Sequence, residues 1–223
     1  MPDTNQPQGG RRRRPPEASL SEGDWVAAGT DILAKENVRG VQIPALCQRL
    51  GVTKGSFYWH FGSLADLLRR LLEHWRQRAT LEIITRLTDA APDPAEAIRT
   101  LISLPRKGAR SRKATALEMN IREWAQRDDD AARAVQEVDR LRLRFFEQLF
   151  RGRGFEGKEL TARAYTAYCM MMGDSILHRT LSEDVPDQHY MDAAERMLGL
   201  APELEQQERG QAPDATPDAA LAE

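Results

Sequence analysis

Residues 46–68 read LCQRLGVTKGSFYWHFGSLADLL. Phe57, Tyr58, Trp59, His60 and Phe61 crowd together beside Lys54 in a chain with only 6 % aromatics. The residues up to Leu50 have helical spacing, and Gly51 stops them because glycine accepts the left-handed backbone that ends helices. Thr53 then stands at an N-cap position and predicts a short helix through about His60. Two short helices around a glycine turn are the layout of a helix-turn-helix. In that motif the second helix enters the major groove of DNA while the first spans the backbone.

The flanks extend the helical reading. Ser21 and Asp24 form a capping box ahead of Trp25, Ala28, Ile32 and Leu33, which share one helical face. Asn37 is placed to end that helix, and Pro44 is tolerated in the first turn of the next, Pro44–Leu50. Ser63 caps a longer helix carrying Leu64, Leu67, Leu68, Leu71, Leu72 and Trp75. It runs past Ile84 to the break at Pro92-Asp93-Pro94. Further helices are predicted over Pro94–Leu104, Ser111–Gln126, Asp128–Phe150, Lys158–Leu181 and Pro186–Leu198, and Asp128–Asp130 favour the start of the third of these through its dipole. No stretch alternates as a strand does, so the fold class is all-α.

Bulk properties narrow the function. The chain has 223 residues, a formal net charge of −2 and 30 % charged residues. That charge is polarised: residues 11–62 carry eight Lys/Arg against five acids, whereas six acids and only Arg209 follow Ala201. Cys47 and Cys169 lie far apart in apolar helical patterns, which argues against a disulfide and for a reducing cytoplasm. No apolar run reaches membrane-spanning length, so no membrane partner is expected. His60, His74, His178 and His189 have no metal-ligand spacing. There is no phosphate-binding glycine loop or nucleophile-elbow pentapeptide, so neither a cofactor nor an enzyme activity is indicated. Residues 1–18 form an expected disordered basic arm, 19–64 a DNA-binding head, 65–203 a helical body and 204–223 a disordered acidic tail.

Within the head, Thr53 offers a hydroxyl near free N–H groups, and Lys54 and Ser56 can reach phosphates or base edges. Gly55 removes a side chain where backbone must come close to a duplex. Tyr58, Trp59 and His60 cannot all face inward in so short a helix, since Phe57 and Phe61 at i and i+4 already fill that face. Arg13 and Arg14, in the run Arg11–Arg14, are candidates for an adjacent minor groove; a solvated tail is the competing reading.

Residues 21–68 resemble the N-terminal domain of the tetracycline-repressor (TetR) family of bacterial transcription regulators. Gly51, Val52, Thr53, Gly55, Ser56, Phe57, Tyr58, His60 and Phe61 match its pattern in order. The resemblance implies a three-helix DNA head, a helical effector-binding body, a homodimer and a near-palindromic double-stranded DNA operator. It assigns DNA contacts to Thr53, Lys54, Ser56, Tyr58, Trp59 and His60, and inward positions to Phe57, Phe61, Val52, Leu46, Leu50 and Ile32. Gln42 stands where many members have a capping, phosphate-binding Thr, and Leu64 where many have a Lys. Cys47 replaces a small Ala. Those departures leave open a helical interaction module or chaperone that has lost sequence-specific DNA binding.

In the body, Met119, Trp124, Phe145, Phe146, Tyr168 and Met172 are candidates for lining a small-molecule effector pocket; ordinary core packing is the alternative. Leu160, Ala164, Met171, Ser175, Met191 and Leu198, on the last two helices, are candidates for the dimer interface.

Overall fold

The computed structural model describes residues 20–90 and 92–200. The expected basic arm, with Arg13 and Arg14, and the expected acidic tail lie outside the described residues. Among the described residues ten α-helices follow one another: α1 Glu22–Gly40, α2 Ile43–Leu50, α3 Lys54–His60, α4 Leu64–Arg76, α5 Glu82–Ala90, α6 Pro94–Ser103, α7 Ala109–Trp124, α8 Asp129–Gly152, α9 Gly157–Leu181 and α10 Asp187–Leu198. A π-helical turn, Gln77–Leu81, joins α4 to α5, so the long helix expected from Ser63 does continue past Ile84.

Local chemistry accounts for the starts. The Ser21 hydroxyl accepts from the Asp24 N–H, and the Asp24 carboxylate accepts from the Ser21 backbone, satisfying two otherwise unpaired donors. Ser63 caps α4 through Asp66 N–H, Asp93 caps α6, and Asp128 caps α8 with Asp129 and Asp130 in its first turn. Asn37 breaks α1 at φ 63°, but with ψ −173° rather than in the left-handed helical well. Its side chain accepts from Arg39 N–H, which supports the turn into α2.

Two cores organise the helices. The first gathers Trp25, Ile32, Leu33, Val41, Leu46, Phe57, Phe61, Leu67, Leu71 and Trp75 from α1 to α4 and their connections, with Ile121, Trp124, Ala131 and Val138 from α7 and α8. The second gathers Ile98, Ile102, Phe145, Phe146, Phe150, Leu160, Ala164, Tyr168, Tyr190 and Leu198 from α6, α8, α9 and α10. Because α7 and α8 contribute to the first core, the head is packed onto the body rather than tethered to it. Burying an aromatic such as Trp25 or Phe57 contributes on the order of 2–3 kcal/mol each by area.

Candidate nucleic-acid interface

Helix α2 ends in a Schellman turn. Gly51 adopts φ 70°, ψ 30°, its N–H approaches the Gln48 carbonyl, and Val52 N–H donates to the Cys47 carbonyl at 3.0 Å. A side chain would strain that φ, so glycine is required here by the fold itself. Thr53 is the N-cap of α3, yet its side chain makes no capping hydrogen bond. The exposed hydroxyl is therefore available to an outside acceptor. At Gly55 an added Cβ would meet only Thr53 Oγ1, at an ordinary 3.6 Å. Nothing inside the head demands glycine there.

Helix α3 divides into two faces. Phe57 is completely buried, edge-on to Trp25 at 5.4 Å and stacked on Phe61 at 5.5 Å. Such aromatic pairs contribute about 0.5–1.5 kcal/mol beyond area. On the other side Trp59 is 89 % exposed and Tyr58 is 58 % exposed. Thr53, Lys54 and Gly55 are exposed as well, and Ser56 is half-buried. His60 departs from the outward expectation: it is half-buried, its ring 6.2 Å from Trp25. It lies at i+3 from Phe57, at the margin of the inward face.

Gln42 is the N-cap of α2 without a side-chain cap; its amide donates instead to the Arg39 carbonyl at 3.1 Å. Leu64 is half-buried against the first core. Val52 and Leu50 are half-buried too, while Leu46 and Ile32 are in the core as expected.

Residues 26–71 match the family described as bacterial regulatory proteins, tetR family. The head is that of the tetR family. Solved structures agree on the fold of the rest. A transcriptional regulator from Rhodococcus sp. Rha1 superposes with a TM-score of 0.65 at 16 % identity, covering 81 % of this chain and 95 % of its own. The reduced form of NemR from E. coli gives 0.66 at 16 % identity, covering 81 % and 97 %. A regulator from Saccharomonospora viridis, in complex with choline, gives 0.62 at 15 % identity, covering 80 % and 93 %. No curated protein matches the chain.

Behind the tetR head, a buried ionic cluster joins the π-helical turn Gln77–Leu81, α7, α8 and α9. The Arg142 guanidinium donates to both Glu118 carboxylate oxygens at 3.0 Å, to Thr80 Oγ1 at 3.1 Å and to the Ala79 carbonyl at 3.3 Å. Arg122 donates to Glu118 at 2.8 Å and to Asp139 at 2.5 Å, and the Tyr168 hydroxyl donates to Asp139 at 2.6 Å. Burial works to raise the Glu118 carboxyl, but the two guanidinium groups overcome it and hold it below the ordinary range. Asp139 is likewise lowered against its burial by Arg122 and Tyr168. Burial pushes the Tyr168 phenol up to about 12, with Arg142 opposing and Asp139 adding to the rise. Arg142 thus ties the body to the π-helical turn at the top of α4.

A second tie comes from Asn120 of α7. Its amide donates to the carbonyls of Leu33 at 2.8 Å and Ala34 at 3.2 Å. These lie in the turn of α1 just before Asn37, where the helical ladder is interrupted. The body therefore supplies a cap for a helix of the tetR head. Neither tie is legible in the sequence. The i, i+4 pair Glu118–Arg122 is visible in the sequence, but its partners Asp139, Arg142 and Tyr168 come from other helices.

The body residues singled out from sequence are not brought together as expected. Trp124 belongs to the first core, whereas Phe145, Phe146 and Tyr168 belong to the second, with Met172 at its edge. Met119 is exposed. Five residues along α7 turn Met119 and Trp124 to different sides, so the six do not surround one cavity.

The interface candidates need a similar correction. Leu160, Ala164, Met171 and Leu198 are buried within the chain's own second core, and Ser175 and Met191 are half-buried. Ser175 Oγ bonds the Met172 carbonyl of its own helix at 2.6 Å. Helix α9 is apolar on two sides; the side chosen from sequence holds it to α8. The opposite side presents Tyr165 and Ile176 to solvent, along with the free, exposed Cys169; Leu177 and Leu181, nearer the end of α9, and Met197 of α10 are exposed as well.

Proposed function

We propose that this chain is a transcriptional repressor that binds a near-palindromic operator as a homodimer and is released by a small-molecule effector. The observation that carries the DNA reading is the two-faced helix α3, whose Phe57 is sealed in the core while Trp59 beside it is 89 % exposed. Tyr58 and Trp59, exposed side by side, make an aromatic patch of the kind that marks an interaction surface. Thr53, Lys54, Ser56, Tyr58 and Trp59 are the proposed contacts, with hydroxyls and the ammonium on phosphates and the flat ring bodies against sugar and base edges. His60 contributes its exposed edge.

The exposed apolar side of α9, continued by Met197 of α10, is the proposed dimer face. Two heads joined there would have to meet half-sites about one helical turn, roughly 34 Å, apart. An effector that favours any other separation lowers operator affinity by linkage. Its proposed route is through the two polar ties, Arg142 to the π-helical turn and Asn120 to the end of α1. That the Saccharomonospora regulator of the same fold was solved with choline supports a small-molecule effector in the body. No helix among the described residues is long and apolar enough to cross a membrane, in keeping with a role at cytoplasmic DNA.

Fluorescence anisotropy against the gene's own upstream region tests the proposal. A folded dimer should bind a specific segment at least 10³-fold more tightly than random duplex. Equal affinity for both at moderate salt overturns it, and light scattering that finds a monomer at micromolar concentration removes the dimer.

A further inference from the structure

Between Ala97 and Leu117 the chain carries six cations, Arg99, Arg106, Lys107, Arg110, Arg112 and Lys113, and no acid. Arg99 and Arg106 have structural partners. Arg99 pairs with Glu195, and Arg106 is held almost wholly out of solvent by a two-point bond to Asp174, at 2.6 and 2.9 Å. The Arg106 guanidinium also lies 4.2 Å above the Tyr190 ring. The remaining four are exposed. Among the described residues, Lys107, Arg110 and Arg112 form no ion pair, and Lys113 reaches across to Asp31 of α1.

Stability does not explain this cluster. It occupies the start of α7, whose first turn contains no acid and whose N-cap, Gly108, offers no side chain. Cations there oppose the helix dipole. They also repel one another in a chain whose net charge is −2.

Position supplies the missing partner. Asp31, bound by Lys113, is also bound at 2.6 Å by Arg49, in the last turn of α2. Helix α2 is the first helix of the helix-turn-helix, and Lys54 follows just past its Gly51 turn. The basic start of α7 thus meets the head at Asp31, which Lys113 shares with Arg49. Duplex DNA, with one negative charge per ~1.7 Å of axis, is the extended polyanion that this head would meet.

We propose that Lys107, Arg110 and Arg112 form an auxiliary phosphate-binding edge that grips duplex DNA flanking the segment under α3. The edge adds affinity and salt dependence without reading sequence. The inference rests on the DNA-binding reading above.

The test compares wild-type protein with the K107Q/R110Q/R112Q variant, using labelled random-sequence duplexes of roughly 15 and roughly 40 base pairs. Salt is varied from about 50 to 200 mM. Each lost phosphate contact lowers the slope of log K against log salt by about 0.9. Three contacts lower it by about 2.7 on the long duplex, so wild type loses roughly 40-fold more affinity than the variant across that salt range. On the short duplex the two proteins should differ much less. The charge-preserving K107R/R110K/R112K variant should retain the wild-type slope, and all three proteins should melt within about 2 °C of one another, as for exposed substitutions. Wild-type binding with an identical slope and affinity for the glutamine variant on the long duplex overturns this inference alone. Failure of wild type to bind either duplex overturns it together with the DNA-binding reading. Loss of binding to anionic phospholipid vesicles in the variant, with its DNA slope unchanged, assigns the edge to a lipid surface and also overturns it.

Discussion

Replacing Glu118 by Gln removes one charge from the ionic cluster and almost no volume. In the native chain Glu118 accepts two bonds from Arg142, both at 3.0 Å, and two from Arg122, at 2.8 and 3.0 Å. Arg122 keeps Asp139 after the change, but among the described residues Arg142 has no other carboxylate in hydrogen-bond reach, and its side chain is only 11 % exposed. Breaking a buried pair costs about 3–5 kcal/mol, because the surviving charge stays desolvated. Arg142 retains Thr80 Oγ1 and the Ala79 carbonyl, so the lower end applies, about 3 kcal/mol. For a chain of this size each kcal/mol lowers Tm by about 2–4 °C, giving a fall of roughly 6–12 °C by circular dichroism at pH 7. Glu118→Leu combined with Arg142→Met removes both charges, and its stability should return to within about 1 kcal/mol of wild type. The corresponding cycle should give a coupling of at least about 2 kcal/mol. A Tm change under about 2 °C for E118Q, or a double variant as unstable as the sum of its singles, refutes the view that this pair is a mutually dependent buried unit.

Phe57→Ala should cost about 3–5 kcal/mol in urea unfolding, since the ring is fully buried between Trp25 and Phe61, whereas Trp59→Ala should stay within about 0.5 kcal/mol. A stability loss at Trp59 comparable with that at Phe57 would contradict the two-faced α3. Asn120→Ala removes both bonds to the end of α1 and should cost about 1–2 kcal/mol, with faster amide exchange over residues 33–40; unchanged exchange there would sink the trans-cap. Glu118 and Asp139 are held below their ordinary values of 4.5 and 3.8, so their stabilisation is present above those values and is lost as pH falls through the lowered ones. Tyr168 is raised, so its contribution is present below pH 10 and lost as pH rises toward about 12. Melts from pH 3 to 7 should therefore fall steeply on the acid side in wild type and less so in E118Q; parallel curves would count against the cluster as the source.

The parts of this protein that were legible in the sequence are those decided within a few residues. Ser21 and Asp24 meet because helix geometry places N-cap and N3 side by side, and Gly51 stops α2 because few other residues tolerate its φ. Phe57 and Phe61 share a face four residues apart in any helix, so the outward turn of Tyr58 and Trp59 followed from local geometry too. His60 was harder, since a margin position is settled by what lies opposite, here Trp25 of α1.

Tertiary structure decided the rest. Helix α9 has two apolar sides, and only the placement of α8 determines that Leu160, Ala164 and Met171 are consumed in the chain's own core while Tyr165 and Ile176 are left outside. Glu118 and Thr80 lie 24 and 62 positions from Arg142 in the sequence, and nothing local marks them as its partners. A charged residue in a helix looks like surface until a second helix brings its counter-ion and excludes water. Periodicity specifies which residues share a face; only packing specifies which face meets the core, which meets a partner and which carries charge into the interior.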